Sequence, residues 1–220
     1  MIDTEFLIEK YISALQNAFP DRIRFVGLQG SYARGEATES SDIDFVVILD
    51  RLSCEDVRRY RTILDALPYR ELFCGFLSDA DDLKHWEVSD LFQFYHDTKP
   101  IIGTFDEIIP SITDDDIRRS VRIGVCNIYH TCIHNLIYEK DPVMLKGLYK
   151  SASFAIQALC YLRSGEYIAR LQELASQVGD SEKAIISAYM QVKNSGVSDF
   201  ESLSDLIFNW SKKQINQMHE

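Results

Sequence analysis

Apolar residues recur at helical spacing near the start of the chain, at Phe6, Leu7, Tyr11, Ala14, Leu15 and Ala18, and Pro20 ends that run. The period then shortens. Residues 23–28 read as a strand, 30–41 as a loop rich in Gly, Ser and Glu, and 43–49 as a second β-rich run. A helix is predicted after Ser53, whose hydroxyl suits an N-cap, with Glu55 and Asp56 placed to match the helix dipole. Pro68 closes that helix. Residues 71–77 predict a third strand, 83–95 a helical stretch, and Ile101-Ile102 a short fourth strand.

The second half carries no strand pattern. Asp114-Asp115-Asp116 precede a helix predicted over 117–138, where an acidic run is most simply a helix start matched to its dipole. Asp141-Pro142 opens another helix, through 162, because proline is tolerated in a first turn. Further helical patterns cover 167–177, 182–192 and 200–217. The expected fold is therefore an α/β (α+β) domain with a small mixed sheet over residues 1–110, then an all-α helical bundle over 111–220.

Composition narrows the function classes. The chain has 220 residues, 46% of them apolar, with a net charge of −11 and a pI near 4.9. Such a surface repels polyanions, so long nucleic acid is not the expected partner. Residues 1–110 carry 11 basic against 21 acidic side chains, and residues 111–220 carry 12 against 13. The excess negative charge thus sits in the first half, where its field would draw metal ions and a cationic small substrate. No apolar run approaches the ~20 residues of a membrane helix, and Met1-Ile2-Asp3-Thr4-Glu5 lacks the basic and apolar regions of a secretory signal. A cytoplasmic protein is expected. The five cysteines, Cys54, Cys74, Cys126, Cys132 and Cys160, form no CxxC pair and read as buried free thiols rather than disulfide or zinc partners.

The chemistry is concentrated in Gly30-Ser31-Tyr32-Ala33-Arg34-Gly35, followed by Ser41-Asp42-Ile43-Asp44. Alternate residues of a strand share a face, so Asp42 and Asp44 point one way while Ile43 and Phe45 enter the core. Two neighbouring carboxylates repel each other unless a cation lies between them. Their hard oxygens suit Mg²⁺, which takes one or two carboxylates and leaves the remaining positions to phosphates and water. Upstream, Gly30 permits close backbone approach, and Ser31 offers a hydroxyl and an N–H to an anion. Together these residues have the makings of a site for a metal-bound triphosphate.

Glycine-serine followed after a short gap by Asp-x-Asp resembles the nucleotidyltransferase superfamily that includes DNA polymerase beta. The wording of the motif is most similar to the bacterial aminoglycoside adenylyltransferases, which also join such a domain to a C-terminal helical bundle. The resemblance implies that Gly30 and Ser31 contact nucleotide phosphates, with Arg34 of the same motif beside them. Apart from the resemblance, Lys146 and Lys150 share a helical face in the second half, and Lys150 is the candidate there to reach the triphosphate. It implies Mg²⁺, with two ions expected, on Asp42 and Asp44. Glu71, at the start of the third predicted strand, is the best positional match to the family's third carboxylate, as ligand and catalytic acid. The co-substrate would be ATP or another nucleoside triphosphate, and the acceptor a hydroxyl of a small, cationic molecule such as an aminoglycoside. Two other readings stand beside this one: transfer to a protein, and a non-catalytic, antitoxin-like binding module that keeps the fold.

Competing motifs are weak. There is no GxxxxGK[ST], and Gly27 with Gly30 makes no dinucleotide fingerprint. His130 and His134 stand four apart on a helix, but Thr-Cys-Ile between them is not a metalloprotease motif. Arg58-Arg59-Tyr60-Arg61 is short, helical and surrounded by acids, which argues against a nucleic-acid patch. General-base candidates outside the first half are Glu139 and Glu166, with nothing in the sequence to select either.

Overall fold

The apolar run 43–49 becomes an inner strand of a four-stranded mixed sheet, buried from Phe45 to Leu49. The computed structural model describes residues 4–38 and 41–218. Met1-Ile2-Asp3, read above for a leader, and Glu39 and Ser40 of the loop lie outside the described residues. The chain divides into two compact units, Met1–Ser111 and Ile112–Glu220.

In the first unit the elements run α1 (Thr4–Ala18), β1 (Ile23–Gln29), α2 (Gly30–Arg34), β2 (Ile43–Leu49), α3 (Cys54–Asp65), β3 (Phe73–Asp79), α4 (Ala80–Lys84), α5 (Val88–His96) and β4 (Lys99–Ile102). The sheet order is β3-β2-β1-β4. β1 is antiparallel to both β2 and β4, while β2 and β3 are parallel. One face buries Val26, Ile43, Phe45, Val47 and Phe73 against Leu7, Tyr11 and Leu15 of α1, with Ile63 and Leu64 of α3 packed alongside. Each such side chain contributes roughly 1.5–3 kcal/mol on burial. The Tyr11 ring lies 3.9 Å from that of Phe45, and its hydroxyl meets that of Tyr60 at 2.6 Å. The opposite face is aromatic: Phe25 stacks on Phe105 at 3.9 Å, and Phe94 of α5 touches both Phe76 and Phe105.

The third strand starts two residues later than its apolar run suggested. Arg70–Leu72 form a 3₁₀ turn after Tyr69, which takes a left-handed φ of 57°. The reason is non-local. The parallel ladder begins where Ile43 pairs with Phe73, so residues upstream have no partner strand to extend against. The predicted 83–95 helix is likewise two helices, α4 and α5, separated at residues 85–87.

Ser53 is the N-cap of α3, completing a capping box with Asp56. Asp56 also accepts from Arg22 at 2.7 Å, and Arg22 reaches Asp50 at 3.0 Å, tying β1 to the end of β2 and the start of α3. The hydrogen bond from Arg22, then that from Ser53, holds the Asp56 carboxyl well below its ordinary range. A carboxyl depressed in the folded state stabilises above its unfolded pKa, and that contribution is lost as pH falls through the folded value. Asp56→Asn is therefore expected to melt several degrees lower than the parent at pH 7. The gap should narrow once pH drops below about 4, where the unfolded chain's carboxyl takes up its proton. Melting curves at pH 7 and pH 3 read this directly.

The second unit is helical among its described residues: α6 (Asp114–His134), α7 (Pro142–Ser164), α8 (Leu171–Gln177), α9 (Asp180–Ser195) and α10 (Phe200–Gln217). Thr113 caps α6 through a capping box with Asp116, which explains the acidic run as a helix start. Ile117, Val121, Val125, Ile128 and Cys132 form its buried stripe. A π turn, Asn135–Glu139, follows, and buried Asn135 bonds both the N–H and the C=O of Asp141 to set the entry to α7. Burial pushes the Cys132 thiol up to about 11. The expectation of buried thiols holds for Cys132 and Cys160 alone: Cys54, Cys74 and Cys126 are exposed, Cys54 as the first residue of α3, Cys126 off the buried stripe of α6, and Cys74 on the edge strand β3.

Candidate active site

β1 and β2 are antiparallel, so the end of the first lies beside the start of the second. That places Gln29, the Gly30–Arg34 turn and Asp44 at one end of the sheet, where Gln29 is paired with Asp44. Asp42 precedes β2 and is exposed, while Asp44, two residues on, is partly buried. Ile43 and Phe45 between and beyond them are buried in the core, as the alternation required.

Gly30 is required on two grounds. Its φ of 64° is a left-handed conformation, and a Cβ built there would stand 2.6 Å from Asp44 Oδ2. The Asp44 carboxylate thus leans over the turn at the point where the backbone has no side chain. Behind it, Ser31 O accepts from the N–H of Glu36 at 2.8 Å, and Gly35 closes α2 in the left-handed region. Tyr32 packs its ring against the α1-side core and so anchors the turn from below. Further along, Thr38 and Ser41 exchange hydrogen bonds, through Thr38 N to Ser41 Oγ at 2.9 Å and Ser41 N to Thr38 O at 3.0 Å.

The other residues singled out above occupy varied positions. Arg34 is engaged by carboxylates, with Nη1 3.1 Å from Asp97 and Nε 3.3 Å from Glu36. Glu71 is exposed in the 3₁₀ turn ahead of β3 rather than on the strand. The parallel register instead sets Cys74 beside Asp44. Among the described residues, no three His, Cys, Asp or Glu side chains gather closely enough to hold an ion. Two carboxylates, as Asp42 and Asp44 would offer, suit a hard divalent ion completed by phosphate and water oxygens. Lys150 is exposed on α7 of the second unit, 5.9 Å over the Phe154 ring. His130 and His134 are both exposed on α6.

Cys74, Gln29, Asp97 and Thr98 were not found from the sequence. Gln29 and Cys74 become neighbours of Asp44 only through the ladder registers, and nothing local in 29–31 or 73–75 signals those registers. No helix among the described residues is long and apolar enough to cross a membrane.

The model of the family described as Nucleotidyltransferase domain matches residues 8–120, just over half of the chain. A protein of Methanocaldococcus jannaschii, named provisionally as a protein adenylyltransferase, is 41% identical over 49 residues, which are 22% of this chain and 49% of that protein. The chain thus spans about half the length of the curated relative it matches. Among solved structures, the spectinomycin adenyltransferase of Enterococcus faecialis, with ATP and spectinomycin, aligns with a TM-score of 0.59 at 14% identity. That alignment covers 94% of this chain and 99% of the other, and it establishes likeness of fold. With the turn, the paired strands and the family match all falling within its first 120 residues, the chain belongs to the nucleotidyltransferase domain family.

Proposed function

We propose that the protein transfers an adenylyl group from ATP to a hydroxyl of a small, cationic acceptor. The observation that carries this reading is the approach of the Asp44 carboxylate to side-chain-free Gly30, which sets that acid beside a turn able to seat a polyphosphate. Support for the adenylyl group comes from the names of the two similar proteins, one a protein adenylyltransferase and the other solved with ATP. Support for a cationic acceptor comes from the charge balance of residues 1–110, 11 basic against 21 acidic.

In this reading Asp42 and Asp44 hold Mg²⁺, which when bound neutralises phosphate charge at the reacting centre. Gly30 and Ser31 steady the β- and γ-phosphates. The acceptor oxygen attacks the α-phosphorus in line. The new P–O bond forms as the bond to the β-phosphate oxygen breaks, pyrophosphate leaves with the bonding electrons, and the hydroxyl proton passes to a carboxylate or water. Most of the rate comes from positioning and charge stabilisation. Arg34 supports the turn through its ion pairs with Asp97 and Glu36. Glu71 is retained as the candidate third acid, and Glu71→Gln decides its part: loss of turnover comparable to that of Asp42→Ala assigns it to the catalytic set.

A screen of aminocyclitols and aminoglycosides for pyrophosphate release, with four nucleotides and Mg²⁺, tests the proposal. The Asp42→Ala/Asp44→Ala double variant is the blank. Release with ATP and an amino sugar, absent in the blank, is the expected result, and no release with any small acceptor counts against it. The name of the archaeal relative favours a second reading, in which the acceptor is a protein hydroxyl. Mass spectrometry for an added adenylyl group on a protein, in place of a small product, distinguishes the two.

A further inference from the structure

The Gly30–Arg34 turn is held at both ends by two consecutive residues that no motif includes. At its entry, Gln29 donates from Nε2 to Thr98 Oγ1 at 2.8 Å, and that hydroxyl in turn donates to Phe94 O at 2.5 Å. At its exit, Arg34 Nη1 reaches Asp97 Oδ2 at 3.1 Å. Both anchors are well shielded: Thr98 is 6% exposed, and the side chains of Asp97 and Arg34 are 10% and 19% exposed. Asp97 is the C-cap of α5, a helix seated on the sheet by buried Leu91 and Phe92, so the anchor point is itself fixed. Thr98 fits tightly against β1, where a Cβ on Gly27 would stand 2.7 Å from Thr98 Cγ2.

We infer that Asp97 and Thr98 are positioning residues for nucleotide binding, which set the pitch of the Gly30–Arg34 turn relative to Asp44. This inference rests on the reading of that turn as the phosphate seat. Its physical basis is that one rigid support fixes both ends of a short turn, leaving few internal rotations to tilt Gly30 and Ser31. A five-residue helix makes too few internal hydrogen bonds to hold its own orientation. The charge-assisted pair to Asp97 and the two-bond relay through Thr98 supply what the helix lacks. Neither residue touches the nucleotide in this account. Their effect passes through Gln29 and Arg34.

Calorimetric titration of the full chain with MgATP tests the inference. Thr98→Val preserves shape and removes the hydroxyl, Thr98→Ser restores it, and Asp97→Asn preserves shape and removes the charge. Thr98→Val and Asp97→Asn are each expected to weaken MgATP binding about ten- to a hundredfold, the scale set by losing one charge-assisted or relayed hydrogen bond. Thr98→Ser should bind within a fewfold of the parent, and melting temperatures should change by only a few degrees. A purely structural role predicts the opposite pattern, lower melting temperature with unchanged affinity, and that result overturns the inference. Ser31→Ala and Gly30→Ala separate it from the reading beneath it. If they weaken binding while the Asp97 and Thr98 variants do not, the positioning role alone falls. If none of the four weakens binding, the turn is not the phosphate seat, and the positioning role falls with it.

Discussion

Asp44→Ala is expected to lower adenylyl transfer on the order of a thousandfold or more, since one preorganised charge-stabilising group already accounts for 10²–10³. The fold should survive the change. Asp44 belongs to an inner strand, but its side chain lies outside the apolar cluster that Ile43 and Phe45 join. Removing one of two adjacent carboxylates also relieves their mutual repulsion when no cation is bound, so the melting temperature of the ion-free variant should hold or rise slightly. Added Mg²⁺ should raise the melting temperature of the parent and leave the variant unmoved, because only a species that binds the folded state stabilises it. Pyrophosphate release and thermal melts with and without Mg²⁺ measure both effects. A well-folded Asp44→Ala protein that still turns over would remove the site from the account.

The largest expected effect on stability comes from Gly75→Ala. Gly75 holds a φ of 148°, and a Cβ built there would stand 2.0 Å from Phe45 O and 2.8 Å from both the backbone C and N of Phe45. Those atoms belong to the partner strand at the paired position, so no side-chain rotation can make room. The variant must either lift β3 from β2 or change the backbone conformation of both. A cost of about 3–5 kcal/mol is expected, the range of a severe backbone misfit. Because Phe45 is one residue from Asp44, the site should be lost together with the ladder. Urea denaturation followed by circular dichroism measures the loss, and a Gly75→Ala protein as stable as the parent would show that the strands are not locked in this register.

These two positions differ in how far the sequence announces them. Asp44 could be nominated because its signal is local: the continuous apolar run Phe45–Leu49 gives the strand, and the Asp-x-Asp spacing predicts both acids on one face. The helices were readable for the same reason. Ser53 and Asp141-Pro142 mark their own starts, and the Asp114–Asp116 run follows the cap at Thr113. Gly75, by contrast, looks like a misplaced glycine in a strand until Phe45 is laid beside it.

The one-dimensional pattern by itself determined the mixed α/β and helical character and most helix and strand types, and it nominated the acidic pair and the glycine turn, because each depends on residues within a few positions of one another. Only the tertiary structure decided where β3 begins, that Cys74 rather than Glu71 lies beside Asp44, and that Arg34 is paired with Asp97 and Gln29 with Thr98. Those partners stand 63 and 69 residues apart in sequence. Register and pairing across such distances are selected by which arrangement buries the most apolar surface and leaves the fewest polar groups unpaired, and that competition is settled by the whole sheet at once.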